Sequence, residues 1–521
     1  MGRYIGALDQ GTTSTRFIVF DNRGAPLSVA QKEIRHYTPE PGMVEQNPED
    51  YVKNAIECID GAVEKLEGVS ASEIECIGLT NQRETTIVWD RQTGKPLYNA
   101  LVWSDSRTSD TARELSERPG ADEVSKVCGL PISTYFAAVK IRWLLDNVDK
   151  VRETYDRGDL CFSTVDSWMI YRLTGEYCTD TTNASRSMLM DLETLQYSDR
   201  MKAFFGVEKL NLPEIRASSD DFGRLTASRL AGVPVTGCLG DQSSALVGQL
   251  GFHEGDVKNT YGTGCFLLYN TGHKPTRSDN GLISTVLFNR RVNGENRCLY
   301  ALEGSIAVAG SVIKWFRNNV GLIELSSQIG DLANEVDDNG GVCFVTAFSG
   351  LFAPYWKPNA TGTIVGLSQH TTKSHLARAA IEAVCFQTKA LLDLMVQESS
   401  TRFSRLRVDG GMTSSNVAMQ AQADILGKNT EVERPAMREP TALGAAIAAG
   451  LYVGIWDDLD HVEADLKDTM TRGGKTFTGQ WSKSKVKREY HRFNAAVKAA
   501  CVYGDELDKY EETDDEEEGD D

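Results

Sequence analysis

Apolar positions along the chain recur with two periods, alternation by two and spacing by three and four, and their succession predicts an α/β protein. Residues 5–9 and 16–21 read as strands on either side of a polar turn, and residues 74–80 and 85–90 read as two more, with Gly94-Lys95-Pro96 closing a turn after them. Pro48-Glu49-Asp50 opens a helix through about Leu66, because Val52, Ala55, Ile56, Ile59 and Val63 keep helical spacing. Residues 137–148 form another helix. The pattern restarts near residue 255, with strands over 259–264 and 265–270, a helix about 305–318, a strand over 342–346, a long helix over 375–398 and a last one over 441–456. Two mixed α/β units in tandem follow, with a boundary near 250.

Length agrees with that division: 521 residues exceed what one core serves, which suggests domains over 1–250 and 251–500 and a tail over 501–521. Hydrophobic content of 41% with 25% charged residues is ordinary for a globular protein. The net charge is −19, of which residues 505–521, with twelve carboxylates and one lysine, supply −11. The remaining −8 makes the body mildly acidic, which disfavours nucleic-acid binding, and the acidic tail reads as disordered. Eleven scattered cysteines without a Cys-x-x-Cys pair fit reduced thiols in a cytoplasmic protein and argue against a disulfide framework or a zinc site. No apolar run approaches 18 residues, so neither secretion nor a membrane span is expected.

The chemistry is concentrated in turns. Asp9-Gln-Gly-Thr-Thr-Ser-Thr-Arg16 joins the first two strands. It lacks the lysine of a P-loop and the three glycines of a dinucleotide loop, so a phosphate grip here must come from hairpin amides and hydroxyls. Asp9 has the chemistry to face a magnesium ion through water. Thr260-Tyr-Gly-Thr-Gly-Cys265 repeats the arrangement in the second half, and Leu406-Arg-Val-Asp-Gly-Gly-Met412 ends a strand on an aspartate and two glycines that admit close approach of a flat ligand. Together the three suggest a nucleotide clamped between related domains.

In that order these turns resemble the two phosphate motifs and the adenosine motif of the sugar kinase, Hsp70 and actin superfamily. Residues 362–382, GTIVGLSQHTTKSHLARAAIE, match its FGGY family of carbohydrate kinases, and residues 135–147, YFAAVKIRWLLDN, nearly do, with Ala137 where a proline or small hydroxyl residue is usual. Thr80-Asn-Gln-Arg-Glu-Thr-Thr-Ile-Val-Trp-Asp90, Ala100-Leu-Val-Trp103, Gly240-Asp-Gln242 and Thr260-Tyr-Gly-Thr-Gly-Cys-Phe266 are similar to the glycerol kinases among them. The likeness runs from about residue 4 to 460.

The resemblance implies two tandem ribonuclease H-like (actin-like ATPase) domains with a ligand cleft between them, and direct phosphoryl transfer from ATP with Mg²⁺ to the small-molecule substrate glycerol. Arg83, Glu84, Tyr135 and Gln242 would meet the hydroxyls, Trp103 and Phe266 would wall the carbon backbone, and Asp241 would take the proton of the attacking hydroxyl. Thr12, Thr13, Ser14, Arg16 and Thr263 would surround the phosphates, with Gly310, Gly411 and either Ser415 or Asn416 at the nucleoside and Asp9 at the metal through water. The family generally forms homodimers or homotetramers. The stretch LTASRLAGVPV, 225–235, departs from the glycine- and arginine-bearing loop with which bacterial members bind a sugar bisphosphate, so that feedback is expected to be absent. Two other readings compete: a related kinase for a pentulose or gluconate, and a nucleotide-switched binding protein like actin or Hsp70.

Overall fold

The computed structural model describes residues 2–518, with side chains through residue 508. The first half builds a sheet from β1 (Tyr4–Gln10), β2 (Ser14–Asp21), β3 (Pro26–Glu33), β4 (Ile74–Asn81) and β5 (Val235–Gly240). Its order is β5-β4-β1-β2-β3, with β2 alone antiparallel to the rest. The second half repeats it. There β6 (Val257–Tyr261), β7 (Cys265–Gly272), β8 (Ile283–Val292), β9 (Glu295–Ile306), β10 (Arg405–Asp409), β11 (Glu431–Arg434) and β12 (Lys475–Thr478) take the order β8-β9-β7-β6-β10-β11-β12. With β8 and β12 set aside as edge additions, both sheets share one topology, that of tandem ribonuclease H-like units.

Strand β1 is buried along nearly its whole length, as a strand covered on both faces must be. One face of the first sheet is covered by α1 (Pro48–Glu64), whose entry is set by the Asn47 side chain accepting from the Glu49 amide at 3.1 Å and by Pro48 at its first position. Then come α2 (Ala137–Asn147), α3 (Asp241–Gly248), α4 (Gly310–Trp315), α5 (Lys373–Ser399), α6 (Pro440–Tyr452) and α7 (Lys483–Glu518). The other face of the first sheet is covered by α6, a helix of the second half. Glycines let it lie in backbone contact: a Cβ on Gly78 would fall 2.0 Å from the Ala445 carbonyl oxygen, and one on Gly444 1.9 Å from that of Ser244 in α3. A shared apolar cluster including Ile5, Ile18, Leu246, Leu268 and Leu443 seals the contact between halves.

Several local expectations are corrected. The helix expected over 305–318 starts only at Gly310, because β9 continues through Ile306 to pair with Cys265. Gly262–Gly264 form the turn between β6 and β7 rather than extending the strand, with the Gly262 amide bonded to the Gly264 carbonyl at 2.8 Å. The strand expected over 85–90 spans Ile87–Asp90, since Glu84 sits at a φ of 58°. Residues 501–508, the start of the segment expected to be a disordered tail, are ordered as part of α7: Asp505 pairs with Lys357 at 3.1 Å, and Asn359 donates to Asp505 and Asp508. Residues 519–521 lie outside the described residues.

Candidate active site

The two turns expected to hold phosphates are built alike. Between β1 and β2 the Gly11 amide bonds to the Ser14 carbonyl at 3.0 Å, leaving Thr13 exposed at the tip and Ser14 buried at its base. The Thr12 carbonyl is held by Gln46 and His36, and its hydroxyl accepts from the Trp103 indole at 2.9 Å. The second turn rests on the start of α4: Gly310 donates to the Gly262 carbonyl at 3.0 Å, and Ala309 and Ser311 donate to that of Thr263. Gly310 has to be glycine, since its Cβ would come within 2.5 Å of the Gly262 oxygen. The third element lies alongside, because Thr260 and Asp409 are partners in the β6–β10 register, and around Gly411 the space is open.

Asp241 begins α3 at the end of β5, and the preceding Gly240 lets the Arg83 side chain cross there, as a Cβ would meet its methylenes at 2.6 Å. Arg83 Nε stands 3.2 Å from Asp241 Oδ1. Arg83 and Glu84 are both buried, and Glu84 Oε1 accepts from Arg186 Nε at 2.5 Å. Trp103 meets Tyr135 and Phe266 edge-on, with ring centroids 5.7 and 6.1 Å apart. Gln242 accepts from Lys258, which also donates to Thr260 at 2.8 Å. The geometry therefore brings Arg83, Glu84, Trp103, Tyr135, Asp241, Gln242 and Phe266 into one slot. A groove of about 1120 Å³ lined by Asn47, Lys95, Tyr98 and Arg172 lies apart from it and contains none of these residues.

Electrostatics divide the carboxylates by role. Burial pushes the Asp241 carboxyl up, while Arg83 and Lys258 pull it back toward the charged form, a balance suited to a base. Burial drives the Asp9 carboxyl up to about 7, against the pull of Arg16 and with Asp241 and Glu439 adding to the rise. A desolvated carboxylate with two like-charged neighbours and one arginine fits a hydrated divalent cation, whose charge would offset theirs. Asp166, Asp180 and Cys238 are also grouped closely, but Asp180 is already occupied by donors from Thr182, Asn183 and Ser218.

Other expected contacts are engaged differently. Arg16 pairs with Glu439 of the second half at 2.6 Å. Ser415 caps the helix Asn416–Leu426 through the Ala418 amide, while Asn416 accepts from Arg434 at 3.0 Å. Residues missed in the sequence are Glu303, Arg186, Lys258 and Glu439. Glu303 accepts from Arg83 at 2.6 and 3.0 Å and from Arg186 at 3.1 Å, and although burial opposes its charge these guanidiniums hold its carboxyl down at about 2. A signal existed for it alone: a single carboxylate inside the apolar run 299–309 needs a buried partner.

The chain as a whole is similar to several known proteins. A glycerol kinase of Nocardia farcinica is 48% identical over 94% of this chain and 99% of its own. Glycerol kinase 2 of Streptomyces avermitilis is 45% identical over 97% and 98%. The crystal structure of Plasmodium falciparum glycerol kinase with ADP superposes with a TM-score of 0.89 at 37% identity, covering 96% of this chain and 98% of that one. A gluconate kinase from Lactobacillus acidophilus, at 20% identity and a TM-score of 0.82, shares the fold. Residues 4–248 match the N-terminal domain and residues 257–452 the C-terminal domain of the FGGY family of carbohydrate kinases, and the chain belongs to that family.

Proposed function

We propose that the protein transfers the γ-phosphoryl group of ATP to a terminal hydroxyl of glycerol, yielding sn-glycerol 3-phosphate and ADP. The observation that carries this reading is the slot itself: Arg83 stands 3.2 Å from Asp241 beside three aromatic rings set edge to edge. Such a space suits a short polyol, whose hydroxyls pair with Arg83, Glu84, Tyr135 and Gln242 while Trp103 and Phe266 exclude water from its carbons. Asp241 accepts the hydroxyl proton as the oxygen bonds to the γ-phosphorus and the bond to the bridging oxygen of ADP breaks. Thr12, Thr13, Ser14 and Thr263 orient the phosphates from the two facing turns, Arg16 joins them, and Gly310, Gly411 and the 412–416 loop accommodate the nucleoside. We assign Mg²⁺ to Asp9 through water, where it would neutralise charge developing on the phosphates.

In this assignment residues 1–250 form the domain that binds the polyol and phosphates, and residues 251–500 the nucleotide domain. No helix among the described residues is long and apolar enough to cross a membrane. A cytoplasmic homodimer or homotetramer is part of the same proposal. The test is ADP release by the full chain with Mg·ATP, comparing glycerol, xylulose, gluconate and no acceptor, alongside Asp241→Asn. Glycerol-dependent turnover falling about 10²–10⁴-fold in the variant supports the reading; preference for a longer sugar, or turnover without any acceptor, overturns it.

A further inference from the structure

Glu303 stands in the middle of β9, between Leu268 and Ile283 on the neighbouring strands, and is 1% exposed. A carboxylate in that setting survives only if it is paired. Its partners come from the other half of the molecule: Arg83 reaches it with both terminal nitrogens, at 2.6 and 3.0 Å, and Arg186 with one, at 3.1 Å. Each guanidinium is held at a second point as well. Arg83 Nε lies against Asp241, Arg186 Nε donates to Glu84, and the Arg186 guanidinium lies over the rings of Tyr135 and Phe136. One carboxylate of the second half thus organises both arginines of the slot.

We propose that Glu303 is a positioning residue for the polyol slot: from across the cleft it locks Arg83 and Arg186 in the arrangement that presents Arg83 to both substrate and base. The proposal rests on the polyol kinase reading above. Arginine has five N–H donors in a fixed fork. Glu303 takes two of those on Arg83 and Asp241 lies against a third, so the plane of the guanidinium is fixed from two sides. Charge points the same way. Arg83, Arg186 and Lys258 face Glu84, Glu303 and Asp241, with Tyr135 beside them, Asp409 next to Lys258 and Asp9 next to Asp241. Neutralising Glu303 removes a negative charge that raises the Asp241 carboxyl against the pull of Arg83 and Lys258, and so weakens Asp241 as a proton acceptor.

The experiment compares Glu303→Gln and Glu303→Asp with the parent chain, using full-length protein, steady-state kinetics with glycerol, xylulose and gluconate, and ADP affinity by calorimetry. Glu303→Gln is expected to raise KM for glycerol and lower kcat, each by at least about tenfold, as loss of one partner of a buried charge pair does. Glu303→Asp retains the charge and falls between the two, while ADP affinity stays within about twofold of the parent, since the nucleotide contacts are separate. A lower melting temperature with unchanged KM and kcat would make Glu303 merely structural and overturn the proposal. If Glu303→Gln does not fold, the constants of Glu303→Asp decide by the same criterion. A parent chain that ignores glycerol overturns the substrate reading, and Glu303 is then judged by the variant-to-parent ratio on the acceptor the parent uses.

Discussion

The indole Nε1 of Trp103 donates to the Thr12 hydroxyl at 2.9 Å, so the aromatic wall of the proposed polyol slot and the turn proposed to hold phosphate are mechanically one piece. Trp103→Phe retains an apolar wall and removes this bond. KM should rise for glycerol and for ATP together, and a double-mutant cycle with Thr12→Val should give a coupling of about 0.5–1.5 kcal/mol. Independent effects in the cycle would show that the two subsites are not linked through this contact.

Arg16 spans the cleft to Glu439, and both side chains are about one-third exposed. An arginine needed by phosphate oxygens must loosen that pair when the nucleotide binds. Glu439→Gln should therefore lower KM for ATP by about 1.5- to 5-fold, the range that partly exposed ion pairs contribute. A rise in KM would instead mean that Glu439 orients Arg16 toward the phosphates.

Lys140 on α2 is fully buried and donates to the carbonyls of Thr134 and Tyr135 at 2.8 and 2.6 Å, anchoring the segment that carries Tyr135. Burial pushes its amine down to about 7, against the opposing pull of Glu84 and Asp105. Between about pH 7 and its ordinary value of 10.5 the unfolded chain then binds the extra proton, so the lysine's contribution to stability grows as pH rises through that window. The melting temperature of the parent relative to Lys140→Met should increase from pH 7 to pH 10. A difference that stays flat would place the folded-state pKa near that of a free lysine. The variant should also cost about 1 kcal/mol, because it removes the donor to two partly buried carbonyls.

The first part of the acidic tail is docked. Gly504 packs against the Asn359 backbone, where a Cβ would come within 2.2 Å of the carbonyl oxygen, and Asp505 pairs with Lys357. Deleting residues 509–521 should leave kcat and melting temperature unchanged. Deletion from residue 501 should lower the melting temperature while the remaining folded enzyme turns over normally. Loss of kcat in the shorter deletion would assign the tail a catalytic part.

In the 225–235 segment, the Arg229 amide donates to Asp60 of α1 at 2.7 Å and its side chain pairs with Glu64, so its charge is already taken. Fructose 1,6-bisphosphate at millimolar concentration should leave glycerol turnover unchanged. Strong inhibition would show that the segment opens to bind the anion.

Local chemistry is legible in the sequence: the three turns, their order, the tandem α/β pattern and, by likeness of motif, the set of residues proposed for the slot. These are legible because turns, caps and periodic helices are written in neighbouring residues, as Asn47-Pro48 and Gly240-Asp241 show. Which buried charges meet is set by the packing of the two halves. Glu303 lies 220 residues from Arg83 and Lys258 lies 16 from Gln242, and no local pattern encodes either pairing. The start of α4 at Gly310 was likewise settled by the cross-strand partner of Ile306, and the order in residues 501–508 by a loop 148 residues away. Hydrogen-bond and charge complementarity act through space, so a single chain shows the groups that need partners but leaves the choice of partner to the packing of the two sheets.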